Sequence, residues 1–196
     1  DQIDINTNTL HSYLSFDTEK NDIEFYTSIE LYEDLSKDKQ SRHEFIYPNY
    51  TLQKRILSEK GNDLVLKSYG NQRKYDTNIY EGIIINDLEF NTFSQFSNKG
   101  LVTNYKLLFK NTNIDAKNSN SHKDKFEQTL STVMQYNMKL PLKKESKKFI
   151  NNFTPKVALM YSPNKSKNLS SDNRRMDTSN IYSINRIANN ETVEGG

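Results

Sequence analysis

Between positions 126 and 142 the apolar residues Phe126, Leu130, Met134, Tyr136, Met138, Leu140 and Leu142 share one parity, and Glu127, Thr129, Ser131, Gln135, Asn137 and Lys139 fill the other. Alternation of this kind places the two sets on opposite faces of an extended chain. Phe126, Leu130, Val133 and Met134 also fit helical spacing, but Thr129, Ser131, Thr132 and Pro141 favour a strand. The run is about three times the common strand length of roughly 5–6 residues, longer than most soluble folds need.

The same alternation recurs elsewhere. Ile23, Phe25, Ile29 and Leu31 oppose Glu24, Ser28 and Glu30; Leu101, Tyr105, Leu107 and Phe109 oppose Asn104, Lys106 and Lys110; Phe149, Phe153, Val157, Leu159 and Tyr161 oppose Asn152, Thr154 and Lys156. Positions 44–56 are less regular, and Pro48, which has no amide hydrogen for a ladder, predicts a kink, bulge or edge. Positions 63–96 predict two strands joined near 71–78.

Polar connections at 35–41, 71–78, 111–125 and 162–180 are longer than those at 59–62, 97–100 and 143–148. Long and short connections alternate in outer-membrane barrels, with loops outside and turns in the periplasm. Positions 175–186 predict a short helix, with Asp177 or Thr178 as its cap and Ile181, Ile184 and Ala188 on one face. The expected fold is therefore all-β, with antiparallel up-and-down strands forming part of a large transmembrane β-barrel and one short helix in a late loop.

Composition sharpens this expectation. A hydrophobic fraction of 34% and a mean hydropathy of −0.88 leave a water-soluble domain short of core. Disorder fits poorly, because 12 Tyr, 10 Phe and a net charge of only +2 are unlike disordered chains. Asn, Lys and Ile are frequent throughout, and that bias carries no functional weight.

No run approaches the roughly 18 apolar residues of a spanning helix, but a barrel strand hides only alternate residues in lipid. The N-terminus, Asp1-Gln2-Ile3-Asp4, lacks signal-peptide features, and Glu194-Gly195-Gly196 ends as though entering another element. Residues 1–196 are expected to be one partial barrel with no complete domain boundary inside.

Charge and motifs give little support to other classes. Lys and Arg number 27 against 25 Asp and Glu, so no field for a polyanion arises and no nucleic-acid partner is expected. Cysteine is absent, which excludes disulfides, thiolate metal sites and a cysteine nucleophile. His11, His43 and His122 are far apart and lack partners at metal-ligand spacing, so solvated or lumen-facing histidines account for them.

Glu33-Asp34 and Asp17/Glu19 flank turns, where carboxylates are ordinary. No nucleophile elbow, P-loop or dinucleotide fingerprint occurs. No catalytic residue, metal or cofactor is expected, and an enzyme is the least favoured class.

Lys143-Lys144, Lys147-Lys148 and Arg174-Arg175 have the charge to hold lipid phosphates, but the four lysines fit better as solvating charge in a turn. Asn-x-Ser/Thr triplets at Asn49, Asn152, Asn168 and Asn190 are expected by chance in a chain so rich in these residues, and glycosylation is not inferred.

One ordered set of motifs resembles a known family. It runs Phe153-Thr154-Pro155-Lys156-Val157, Tyr161-Ser162-Pro163-Asn164, Asp177-x-x-Asn180-Ile181-Tyr182-x-Ile184-Asn185-Arg186, and Glu191-Thr192-Val193-Glu194-Gly195-Gly196. This order is similar to the LPS-assembly protein LptD family, also called OstA or Imp. The likeness is specific over 153–196. Before that it rests on strand spacing and on the Phe45-Ile46-Tyr47-Pro48 break.

The resemblance implies a mid-to-late piece of a large barrel in the outer membrane of a Gram-negative bacterium, inserting lipopolysaccharide into the outer leaflet without bond chemistry. It implies as partners lipopolysaccharide, the plug lipoprotein LptE, periplasmic LPS bridge proteins acting through an N-terminal jelly-roll domain, and outer-membrane lipid. Asp177, Asn180, Ile181, Tyr182, Asn185 and Arg186 are then candidates for a structural loop that contacts the plug or LPS. Family cysteines are missing from this segment.

Two alternatives share the alternation. One is the wall of another outer-membrane barrel, such as a porin or uptake receptor, and the other is a soluble β-rich extracellular binding domain.

Overall fold

The computed structural model describes residues 8–164, 178, 180–185 and 191–193. Among them it is all-β: β1 (Thr9–Lys20), β2 (Ile23–Asp34), β3 (His43–Glu59), β4 (Asn62–Tyr75), β5 (Ile79–Asn91), β6 (Gln95–Phe96), β7 (Val102–Lys117), β8 (Glu127–Lys139), β9 (Leu142–Glu145), β10 (Ile150–Phe153) and β11 (Lys156–Tyr161). A three-residue 3-10 turn at Asp76–Asn78 is the one helical element among the described residues.

The main sheet runs β1-β2-β3-β4-β5-β7-β8-β11, with β6 beside β7, while β9 and β10 form a separate hairpin. Each main strand pairs with its predecessor, the up-and-down antiparallel order that alternation predicts.

Turn chemistry explains the tight ends. Asn21 and Asp22 join β1 to β2 with φ of 49° and 62°, and Lys60 and Gly61 join β3 to β4 with φ of 51° and 80°. Two consecutive positive φ values are what a two-residue type I′ hairpin turn requires, and Asn, Asp and Gly tolerate them best. At Gly70 a Cβ would lie 1.9 Å from the Ile83 carbonyl oxygen, so β4 meets β5 too closely there for any side chain.

The regular alternation of long and short connections is not kept. The loop expected at 71–78 shrinks to the turn Asp76–Asn78, because β4 stays paired through Gln72 Nε2 to Tyr80 Oη and Tyr75 Oη to Glu81 Oε1. β7 continues to Lys117, through much of the loop expected at 111–125, with Asn111 accepting from the amides of Asn86 and Asn113. The short turn expected at 143–148 is instead the β9–β10 hairpin, closed by Leu140 N to Pro155 O. Pro155 also divides the apolar run 149–161 between β10 and β11.

Pro48 lies inside β3 and not at an edge. Ser28 pairs with Asn49 but Glu30 with Ile46, so Tyr47 and Pro48 together oppose Ile29. Two residues against one is a β-bulge, and the proline occupies a place where a ladder donor is dispensable.

The chain divides into two compact units. The first comprises residues 1–54, 67–86 and 111–129, and the second 55–66, 87–110 and 130–196. Each shows the same inversion of ordinary burial. In the first, Ser28 and Glu81 are buried while Leu14, Phe16, Ile29 and Ile84 are exposed; Leu14 pairs directly with Ile29, placing them on one face.

In the second, Leu130 is 71% exposed and Gln135, of opposite parity on the same strand, only 3%. Tyr161 pairs with Met134 and Leu159 with Tyr136 on that apolar face, whereas Met160 pairs with Gln135 on the other.

Candidate functional site on the polar face of the strands

Strand periodicity decides which side chains meet. In the first unit, Tyr32 pairs with Glu44 and His11 with Tyr32, so one face gathers their polar groups. Glu30 accepts hydrogen bonds from Ser28 Oγ at 2.6 Å, Tyr32 Oη at 2.8 Å and Asn49 Nδ2 at 3.2 Å, and His11 Nε2 stands 3.3 Å away. His11 also stacks flat on Tyr32, with ring centroids 4.1 Å apart.

Ser28 and His11 thus both serve the same carboxylate. The histidine does not contact the hydroxyl, so the group holds an anion in place and is not arranged as a nucleophile with its base.

Nearby, Arg73 Nε donates to Glu44 at 2.6 Å and its guanidinium stands 4.1 Å over the Tyr75 ring. Glu81 accepts from Tyr75 Oη and Ser119 Oγ. A cavity of about 430 Å³ opens beside this cluster, lined by Lys37, Arg42, His43 and Arg73 together with Asp34 and Glu44. Its charges are mixed and largely paired: Arg42 reaches Glu33 at 3.3 Å and Lys37 reaches Asp76 at 3.2 Å.

The second unit holds a buried ion pair. Lys110 Nζ lies 2.7 Å from Asp87 Oδ1 and 2.8 Å from Oδ2, and both side chains are almost inaccessible. Beside it, Leu108, Val133 and Val193 form a small apolar cluster that Met160 and Ile184 complete. Ile184 and Val193 therefore pack on the polar-parity face of β7, β8 and β11.

The resemblance-derived residues fall here. Tyr182 accepts from Gln135 Nε2 through its carbonyl at 3.0 Å and donates its hydroxyl to Lys156 O at 3.1 Å. Asn185 Nδ2 donates to Thr192 O at 3.4 Å, Asn180 O accepts from Ser183 N, and Ile181 is exposed. Asp177 and Arg186 lie outside the described residues, as do Arg175 and Ala188 of the expected helix.

That helix is not seen. Thr178 and residues 180–185 form turns and irregular chain, for two physical reasons. The Tyr182 carbonyl is taken by Gln135 instead of a helical amide, and Asn and Ser at 180, 183 and 185 compete locally for backbone groups.

The Tyr161-Ser162-Pro163-Asn164 motif has a clear local role. After β11 stops at Tyr161, the Asn164 amide stands in for a strand residue, accepting from Thr132 N at 3.1 Å and donating to Thr132 O at 2.9 Å. Ser162, itself buried, donates to the same carbonyl. Asn164→Ala should lower stability by about 1–2 kcal/mol, two ordinary hydrogen bonds, read as a lower urea midpoint. An unchanged midpoint would show water replacing the amide freely.

Sequence reasoning missed the Asp87–Lys110 pair, the Arg73 cluster and the role of Asn164. Parity pointed to Lys110 on the wet face, but nothing local to Asp87 marked it as its partner. Among the described residues, no three His, Asp or Glu side chains come together as a metal site. In comparisons with known proteins, no protein-family model matches the chain, and no curated protein matches it.

Proposed function

We propose that this chain is a segment of the wall of an outer-membrane β-barrel, and that the barrel is a lipopolysaccharide translocon of the LptD type. The observation that carries the barrel reading is the inverted burial that β8 and its neighbours show. Leu130, Met134, Leu159 and Tyr161 face outward while Ser131, Gln135, Lys110 and Asp87 are covered. In hydrocarbon that arrangement is favourable, because the strands satisfy one another's backbone groups and present an oily side to lipid and a polar side to a wet lumen. In water it would leave a broad apolar face uncovered.

The LptD assignment is supported by the order of the closing motifs and by what those motifs do. Asn164 ends a strand, and Tyr182, Ile184 and Val193 lie against the polar-parity face, where a plug lipoprotein or passing glycolipid would be met. The role is then structural guidance of lipopolysaccharide, with LptE and the periplasmic bridge as partners and the Gram-negative outer membrane as location.

Deleting residues 177–186 in the chromosomal gene tests this. Surface lipopolysaccharide, measured by labelling intact cells, should fall several-fold while the barrel still reaches the outer membrane. Normal export with an intact plug complex would count against a role for that loop, whereas export that continues when the whole protein is depleted would overturn the LptD assignment and leave a barrel of another kind.

A further inference from the structure

In the second unit a cavity of about 270 Å³ opens between β7, β8, β11 and Tyr182. Three lysines, Lys106, Lys139 and Lys156, line it with Asn104, Asn137 and Ser94, and no carboxylate does. Elsewhere in this unit Lys110 is paired with Asp87, Arg55 with Asp63 and Lys143 with Glu145. Among the described residues none of these three lysines has an acidic partner.

The register makes the imbalance sharper. Lys139 and Lys156 are direct partners in the antiparallel β8–β11 pair, so two ammonium groups share one face of adjacent strands. Like charges directly opposite destabilise such a pair, and an anion between them would reverse the sign. Tyr182 adds a wall: its hydroxyl is committed to Lys156 O, and its ring lies 5.8 Å from Lys156 Nζ.

We infer that this cavity binds a phosphate monoester. Three ammonium groups supply charge, and the amides of Asn104 and Asn137 and the Ser94 hydroxyl supply neutral donors, a set matched to an oxygen-rich dianion. Water occupies about 30 Å³ per molecule in the liquid, so the space admits a phosphate group with part of a sugar or a few waters. The ligand chemistry is shared by the phosphorylated sugar of a glycolipid and by free phosphate; the first source rests on the barrel-wall reading, the site itself does not.

The test titrates the full chain, folded in detergent micelles, with inorganic phosphate and separately with glucose 1-phosphate, following phosphorus NMR line width. Saturable binding that weakens with added salt is expected. Lys139→Gln and Lys156→Gln should each lower affinity at least threefold and, without phosphate, raise the thermal midpoint by relieving the like-charge pair. Lys106→Gln, on β7, should lower affinity while leaving that pair intact, and Lys54→Gln should change nothing.

Tighter binding of glucose 1-phosphate supports the site with a glycolipid headgroup as its source, and equal or weaker binding supports it with free phosphate. No saturable binding by a chain of native strand content would overturn the site, as would binding indifferent to all three lysine replacements. Either failure leaves the barrel wall standing, since that reading is tested by membrane insertion.

Discussion

Asp87→Ala is expected to destabilise the fold by about 3–5 kcal/mol, the usual cost of removing one member of a buried ion pair. Lys110 is 3% exposed, so its ammonium cannot turn to solvent once the Asp87 carboxylate is gone. The Asp87→Leu/Lys110→Met double variant should recover most of the loss, because replacing both charges with apolar groups of similar size is often neutral or better. Urea unfolding of the detergent-folded chain measures both. A single-variant cost within about 0.5 kcal/mol, the range of ordinary surface changes, would mean that water reaches Lys110.

The pair also bears on pairing register. Asp87 on β5 and Lys110 on β7 share a face only in one parity of those strands. A one-residue slip of either strand would put the two on opposite faces. In a sheet whose buried side is polar, such pairs set register as apolar patterning does in a soluble sheet.

The fold was legible wherever parity was clean. β8 follows the alternation of Leu130, Met134, Tyr136 and Met138, and stops at Lys139, before Pro141. β2 follows Ile23, Phe25, Ile29 and Leu31, and the turn at Lys60-Gly61 lies within the predicted 59–62. β1 went unrecognised, because Tyr13 puts an aromatic on the parity opposite Leu10, Leu14 and Phe16 and blurs the alternation.

The errors at connections have one origin. Asn71, Gln72, Asn111 and Asn113 look like loop residues by composition, yet they lie in strands, some of them bonded side chain to side chain. A strand with one wet face accepts such residues at no penalty, so polarity stops marking its end. The helix at 175–186 failed for a related reason: spacing places Ile181 and Ile184 on one helical face, but cannot show that Gln135, some 47 residues earlier, takes the Tyr182 carbonyl. The candidate site was legible only as a set of wet positions, because pairing across strands depends on register.

Met134→Arg separates a membrane wall from a soluble sheet. Met134 lies near the middle of β8 on the apolar parity and is 46% exposed. If that face meets hydrocarbon, an arginine near mid-depth should cost about 2–4 kcal/mol of folding free energy, a drop of roughly 30-fold or more in the folded fraction during insertion into lipid vesicles. Gln128→Arg, on the same parity but one residue from the strand start, should cost at most about 1 kcal/mol, since the penalty fades toward the interface. In a water-soluble domain both substitutions would fall on a solvated face, with effects within about 0.5 kcal/mol. The difference between the two sites is therefore a better measure than either alone, because a general loss of strand propensity would lower both equally, whereas only hydrocarbon makes the penalty depend on depth.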